Sequence, residues 1–100
     1  MSSNNIKYIV EIIGTFFFLS VIINSQNDNL TKPFSIAIAL LAAIFFAGKV
    51  SGAHLNPAVT LAVYLKNNMP IDIVFGYVVS QLIGAGLAVK FNDYMMNNIY

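Results

Sequence analysis

The chain alternates long apolar stretches with short polar segments. The apolar stretches cover about residues 6–24, 34–49 and 71–90, and a polar run over Asn24–Asn29 follows the first of them. A helix needs about 20 apolar residues to cross a hydrocarbon core about 30 Å thick. The first and third stretches are long enough and the second is only slightly short, so the pattern predicts three transmembrane helices.

Residues 50–67 predict a loop followed by a short helix. Asn56 is a favoured N-cap residue, and Pro57 suits the first helical position because its missing N–H would have no partner there. A helical pattern continues from Ala58 until Lys66. At 1.5 Å per residue, about ten residues give a helix about 15 Å long, which is half of a hydrocarbon core.

The start of this short helix is expected to lie inside the bilayer. The loop from Val50 to Leu55 carries no charge apart from a possible one on His54, and apolar stretches flank it. Backbone at that depth must line a cavity, because lipid cannot satisfy its polar groups. The sequence therefore predicts an all-α, multi-pass integral membrane protein. Its single domain, residues 1–100, has three transmembrane helices and one re-entrant half-helix.

Composition excludes several classes of function. Hydrophobic residues make up 58% of the chain and charged residues 9%, with a mean hydropathy of +0.75, which is too apolar for an ordinary soluble domain. A net charge of +1 offers no surface for nucleic acid. With no cysteine and a single histidine, we expect no metal site and no cofactor. No nucleophile, base and orienting group occur at a workable spacing, so we do not expect this chain to be an enzyme.

A signal peptide is the alternative interpretation of the first apolar stretch. Glu11 falls inside that stretch, the preceding segment is only weakly basic, and no cleavage pattern of small residues follows it. A transmembrane helix is therefore the better prediction.

Small residues recur at four-residue intervals along two of the predicted spans, which places them on one helix face. One series lies on the second span and the other on the third: Ala39, Ala43 and Ala47, and Gly76, Ser80, Gly84 and Ala88. Helices in lipid approach closely through small residues, so both series predict packing seams.

Three motifs occur in order along the chain: Glu11–Phe16, Ser51–Thr60, and Tyr77 with Gln81–Ala85. They resemble the first-helix motif, the first NPA loop and the third helix of the aquaporin and glycerol-facilitator family, the major intrinsic proteins. The resemblance extends over the first half of such a protein only. It implies half of an aquaporin-like fold and a passive channel for water and small neutral solutes such as glycerol.

The resemblance also implies which residues line the pathway. The Asn56 amide would donate hydrogen bonds at the membrane centre, next to Pro57 and Ala58. Carbonyl groups of the preceding loop would accept hydrogen bonds from the permeating solute, and they belong to Gly52, Ala53, His54 and Leu55. The outer constriction of the family would fall near Ile36, where an aliphatic side chain implies a weak filter that passes glycerol as well as water.

Glu11 and Gln81 are expected to brace this loop. An ionisable residue inside an apolar run is usually paired, and Glu11 shares a helix face with Gly14 and Thr15. The alternative for Glu11 is a side chain that extends to the membrane surface. Gln81 has both donor and acceptor groups to offer the loop. The lone His54 is expected to be a packing residue, with a pH gate as the alternative.

A complete pathway is expected to need a second half. The family pattern includes a second, inverted repeat with its own NPA loop and a following arginine, and these 100 residues contain neither. We expect an inverted copy of the chain, giving a homo-oligomer in the lipid bilayer, or a separate second-half subunit. The competing hypotheses are an inactive remnant and a non-conducting interaction protein, which would assemble with such a subunit or with full-length channels.

The lysines are compatible with both orientations in the membrane. With the N-terminus in the cytoplasm, three lysines would lie inside and two outside, namely Lys7, Lys49 and Lys66 against Lys32 and Lys90. This difference is a weak preference under the positive-inside rule.

Overall fold

A computed structural model describes residues 2–25 and 29–99 as four helices joined by short connections. They are α1 (Ser3–Asn24), α2 (Thr31–Ser51), α3 (Pro57–Asn67) and α4 (Ile71–Asn98). The described residues contain no strand, and α1, α2 and α4 are long and apolar enough to cross a membrane. The predicted fold class is thereby confirmed. Residues 26–28 of the predicted polar run lie outside the described part of the chain.

Two helices, α2 and α4, extend past the C-terminal ends of the apolar stretches that predict them. The second apolar stretch is predicted to end at residue 49, just after Gly48, but α2 continues to Ser51 and ends only where Gly52 adopts the left-handed conformation, with φ 85°. A single glycine costs a helix only about 1 kcal/mol, so it does not end one. The third stretch closes at Lys90, yet α4 continues to Asn98, and Phe91 packs edge-on against Phe16 of α1.

Helix α1 lies between α2 and α4. It packs antiparallel to α2, because Ser51 near the end of α2 contacts Glu11 near the first third of α1. It packs parallel to α4, since Tyr8 contacts Tyr77 and Phe16 contacts Phe91. The short α3 packs against α4. Helix α2 therefore runs from the C-terminal end of α1 to the level of Glu11, and α3 leads to the start of α4 beside the N-terminal end of α1.

The two series of small residues form packing seams, as the sequence predicts. The three alanines of α2 are buried, as are Ser80, Gly84 and Ala88 of α4. A Cβ added at Gly84 would lie 2.8 Å from the Ile12 carbonyl oxygen, and one added at Gly76 would lie 2.3 Å from the Tyr8 ring. These contacts leave no room for a larger side chain between α1 and α4.

The interior of the helix bundle is rich in polar groups and its surface is apolar. Glu11, Thr60 and Gln81 are buried. By contrast, Phe45 is 80% exposed and Leu65 is 70% exposed. This distribution is the reverse of that in a soluble domain, and it fits a bundle whose outer surface contacts lipid.

Candidate functional site

The short helix α3 begins at a fully formed N-cap. Asn56 is extended, with φ −161° and ψ 127°, and its Oδ1 accepts a hydrogen bond of 2.8 Å from the backbone N–H of Ala58. Pro57 occupies the first helical position. At the other end, Asn68 adopts the left-handed conformation and donates its backbone N–H to Tyr64 O. Because capping uses the amide oxygen of Asn56, its NH2 group remains to donate elsewhere.

This helix start lies at the level of the middle of α1. The Leu55 side chain, immediately before Asn56, reaches within 2.7 Å of the point where a Cβ would stand on Gly14. Gly14 lies near the centre of the 22 residues of α1. The loop passes from the level of Glu11 to that of Gly14, and the 11-residue α3 leads back toward the start of α4, which is the geometry of a re-entrant half-helix.

The loop before α3 has an unusual backbone conformation. Gly52, Ala53 and Leu55 all have positive φ, at 85°, 50° and 61°. For residues with a side chain, this left-handed conformation costs of the order of 1 kcal/mol or more, so surrounding contacts must hold it in place.

The carboxylate of Glu11 supplies such contacts. Its Oε2 accepts hydrogen bonds from the His54 backbone N–H at 3.0 Å and from Ser51 Oγ at 2.7 Å. Its Oε1 accepts from the Leu55 backbone N–H at 2.8 Å and from Gln81 Nε2 at 2.9 Å. Glu11 has no solvent exposure, and the contacts are those expected of a residue that braces the loop. The alternative of a side chain extended to the membrane surface is wrong.

The loop leaves its carbonyl groups free. Among residues 2–25 and 29–99, no donor forms a hydrogen bond with a carbonyl oxygen of residues 52–55, whereas Ser51 O accepts one from Tyr77. Glu11 binds the backbone N–H groups of His54 and Leu55, and Ser51 Oγ binds that of Ala53. Four successive carbonyl groups remain available to a polar partner. Such acceptors cannot face hydrocarbon without a cost of several kcal/mol each.

Comparison with known proteins identifies the family. Residues 4–99 match the family model described as Major intrinsic protein. The chain belongs to the major intrinsic protein family. This membership and the three apolar helices identify it as an integral membrane protein with several membrane passages, and membership fits the expectation that it is not an enzyme.

Curated relatives include plant, bacterial and mammalian members of the family. The chain is 42% identical over 91 residues to Aquaporin NIP1-1 of Arabidopsis thaliana, an alignment that covers 82% of this chain and 31% of that protein. It is 30% identical over 86 residues to Glycerol uptake facilitator protein-like 6 of Lactiplantibacillus plantarum, covering 82% and 40%. Identity to rat Aquaporin-8 is 42% over 90 residues, covering 80% and 34%.

The chain thus spans about a third of the length of the curated relatives that it matches. No solved structure gives a significant match.

The residues predicted to line a pathway occupy different environments within this family fold. Three of them, Asn56, Pro57 and Ala58, are exposed at the tip of α3, together with Gly52 in the loop. Ala53 and His54 are half-buried, and the Leu55 side chain is buried against α1. Leu55 can therefore contribute only its backbone to a pathway. Pore lining itself stays a prediction for all of them.

Ile36 lies apart from these residues. It is half-buried on α2, fifteen positions before Ser51, which is about 22 Å along a helix axis. The structure therefore does not bring Ile36 next to the loop, and its role as a constriction stays a prediction.

Gln81 is predicted to brace the loop, and the structure places it one contact away from the loop backbone. Its Nε2 donates to Glu11 Oε1 and to Thr60 Oγ1, each at 2.9 Å, and neither bond reaches the loop backbone. Its Oε1 is buried with no partner among the described residues. Gln81 thus acts on the loop through Glu11 and through Thr60, whose hydroxyl pairs with His54 Nδ1 at 2.9 Å.

Three further residues of the site received no role from the sequence. Tyr77 donates its hydroxyl to Ser51 O at 2.7 Å, and Ser51 Oγ accepts the Ala53 backbone N–H at 3.1 Å. Thr60 is fully buried between Gln81 and His54. Tyr77 lies four residues before Gln81 on a predicted span, so this shared polar face could have revealed Tyr77. No such pattern marks Ser51 or Thr60.

Proposed function

We propose that this chain supplies one half of a passive channel for water and small neutral solutes such as glycerol. The supporting observation is the row of free carbonyl groups at residues 52–55, placed next to a capped helix start at the level of the middle of α1. Names of relatives, among them Aquaporin NIP1-1 and Glycerol uptake facilitator protein-like 6, agree with this class of solutes.

The chemistry of conduction follows from these groups. Loop carbonyls accept hydrogen bonds from a file of water or polyol molecules and replace part of their hydration. At the start of α3, the Asn56 NH2 group donates hydrogen bonds to the oxygen atoms of the same water or polyol molecules. A helix N-terminus carries about half a positive charge, which disfavours cations at this point of the pathway. No energy input is required, so net flux follows the solute gradient.

The opposing wall of the pathway comes from an inverted copy of the chain in this proposal. Asn56, Pro57 and Ala58 are exposed at the tip, where hydrocarbon would leave the amide without a partner. An inverted copy places an equivalent polar tip opposite the first one. A second-half subunit or a further segment of polypeptide would meet the same requirement, and the nearly balanced lysines allow the inverted copy.

Osmotic shrinkage of liposomes that contain the purified chain tests this function. We expect faster water efflux than from empty liposomes, together with measurable glycerol entry. Replacing Asn56 with Phe is expected to abolish both fluxes, because it removes the polar amide and blocks the tip. The matched control is Asn97→Phe at an exposed position near the end of α4, which is expected to conduct normally.

Two outcomes would overturn the proposal in different ways. Water efflux with glycerol fully excluded would contradict the solute range. Liposomes with verified protein content that shrink no faster than empty ones would contradict conduction by this chain. That result would favour the alternative, a non-conducting membrane protein that assembles with a second half or with full-length channels.

A further inference from the structure

The side chain of His54 is held on two sides. Its Nδ1 lies 2.9 Å from Thr60 Oγ1, and its ring lies 4.8 Å from the ring of Tyr77, centroid to centroid. Its Nε2 has no hydrogen-bond partner among the described residues and lies 3.4 Å from the point where a Cβ would stand on exposed Gly52. One ring nitrogen is therefore fixed in the interior, and the other lies over the loop.

The direction of the interior hydrogen bonds follows from the groups that can only accept or only donate. Glu11 Oε1 is an acceptor, so the Gln81 amide must turn its NH2 group toward it. The second hydrogen of that NH2 group points to Thr60 Oγ1. Thr60 thereby accepts one bond and has a single hydrogen left to give.

Within the described residues, Thr60 Oγ1 has one remaining partner, His54 Nδ1. The hydroxyl of Ser80 bonds to the carbonyl four residues earlier in its helix, but that of Thr60 makes no such bond. Its hydrogen therefore points to His54 Nδ1, which must then be an acceptor. In a neutral imidazole, an accepting Nδ1 leaves the hydrogen on Nε2.

We infer that Gln81 and Thr60 are positioning residues that hold His54 in its Nε2–H tautomer and present that N–H at Gly52. The order of donation runs from Gln81 to Thr60 to His54, with Glu11 fixing the orientation of the first amide. In the channel proposed above, on which this consequence rests, His54 Nε2 adds a side-chain donor to a loop that otherwise offers carbonyl acceptors.

Nitrogen NMR on the whole chain tests the tautomer directly. His54 is the single histidine of the sequence, so labelling with ¹⁵N-histidine gives only the two ring nitrogens of this residue. The purified chain is measured in lipid at a pH well above the ordinary histidine pKa of about 6.5, where the ring is neutral. We expect one tautomer, with Nδ1 unprotonated and Nε2 protonated. An Nδ1–H tautomer, or a mixture, would overturn the inference.

Variants separate positioning from simple packing. Thr60→Val keeps the shape of the side chain but removes the hydroxyl, so the single tautomer is expected to become a mixture. Thr60→Ser restores the hydroxyl and is expected to restore the single tautomer. Gln81→Met frees the Thr60 oxygen to accept from Nδ1–H and is also expected to give a mixture. An unchanged spectrum in Thr60→Val would contradict the inference, and the wild-type spectrum decides even if a variant fails to fold.

This measurement is independent of transport. A single Nε2–H tautomer in a chain that does not conduct would refute the proposed channel while supporting the positioning of His54. Conduction combined with an Nδ1–H tautomer would support the proposed channel and refute the positioning of His54.

Discussion

At the scale of single residues, the site depends on one buried carboxylate. Glu11 accepts four hydrogen bonds, two from backbone N–H groups of the loop and two from side chains. Two loop residues that carry side chains, Ala53 and Leu55, adopt the left-handed conformation. The geometry of the loop is therefore held by a side chain that is not itself part of the loop.

Replacing Glu11 with Gln should destabilise the loop. Every partner donates to the carboxylate, so the new NH2 group must face either the His54 or the Leu55 backbone N–H in any orientation. An unsatisfied buried donor costs about 1–3 kcal/mol. We therefore expect the free energy of unfolding in mixed micelles to fall by about 2 kcal/mol.

The matched control for this change is Asp93→Asn, at an exposed position of α4, which is expected to leave stability unchanged. Equal stability of Glu11→Gln and wild type would show that the carboxylate does not hold the loop.

Gly52→Ala tests the left-handed turn at the end of α2. Gly52 has φ 85°, where a Cβ costs about 1–2 kcal/mol, and the new methyl group would lie 3.4 Å from His54 Nε2. We expect a loss of stability of about that size by thermal or detergent-induced unfolding. The control is Gly48→Ala inside α2, where the new Cβ makes only ordinary contact with Ile44. Because alanine has a higher helix propensity than glycine, this variant is expected to be as stable as the wild type or more stable. Equal changes in stability for Gly52→Ala and Gly48→Ala would contradict the left-handed conformation of Gly52.

The sequence predicts part of this residue-level arrangement. Glu11 stands out because an acid inside an apolar run must be paired, and Asn56 with Pro57 is a local capping pattern. The positive φ angles at Ala53 and Leu55 are not predictable in this way. Local preference disfavours these angles, and the contacts that hold the loop include hydrogen bonds from His54 and Leu55 to Glu11, 43 and 44 residues away in the chain.

At the scale of elements, close approach of helices places the loop. Gly84 allows the backbone of α4 to lie against Ile12 and Thr15 of α1, and Gly14 gives Leu55 room against the same helix. Because α1 contacts both neighbours, it fixes the distance between the loop and the residues of α4 that hold it. The seams thus serve the site as well as the fold.

Gly84→Ala is expected to separate α1 from α4. Its Cβ would lie 2.8 Å from the Ile12 carbonyl oxygen and 3.1 Å from the Phe16 nitrogen, and backbone cannot move aside cheaply. Overpacking of this kind costs about 1–3 kcal/mol. Gly86→Ala is the matched control, since nothing lies within 4 Å of its Cβ and stability should stay equal or rise. A Gly84→Ala variant as stable as Gly86→Ala would contradict the seam.

The element pattern is largely predictable and the helix ends are not. Three apolar stretches and one capped short helix follow from hydropathy and from Asn56–Pro57. The last turns of α2 and α4 do not, because a helix satisfies its own backbone and continues past a glycine or a charge until packing or a left-handed residue ends it. Gly52 marks the end of α2, and contacts of Phe91 with Phe16 accompany the extension of α4.

At the scale of the whole molecule, the described residues present a largely apolar surface on which the tip of α3 is polar. Large side chains such as Phe45 and Leu65 face outward, while the exposed tip of α3 lies at the level of the middle of α1. A polar tip at this depth requires a polar counterpart. Whole-molecule assembly is the part that a single sequence cannot predict, because it depends on a surface contact that no local pattern encodes.

Cysteine crosslinking in membranes tests the central claim, that two half-helix tips meet in opposite orientations. The chain has no native cysteine, so Ala58→Cys places a single thiol at the exposed tip while keeping the Asn56 cap. Lys66→Cys places one at the other end of α3, eight residues or about 12 Å away. In an inverted pair, two Lys66 positions are thus about 24 Å farther apart than two Ala58 positions.

With a short bifunctional thiol reagent, the account predicts a covalent dimer for Ala58→Cys and none for Lys66→Cys. Equal crosslinking at both positions would indicate a parallel pair. The absence of a dimer at Ala58→Cys in correctly inserted protein would contradict the meeting of the two tips.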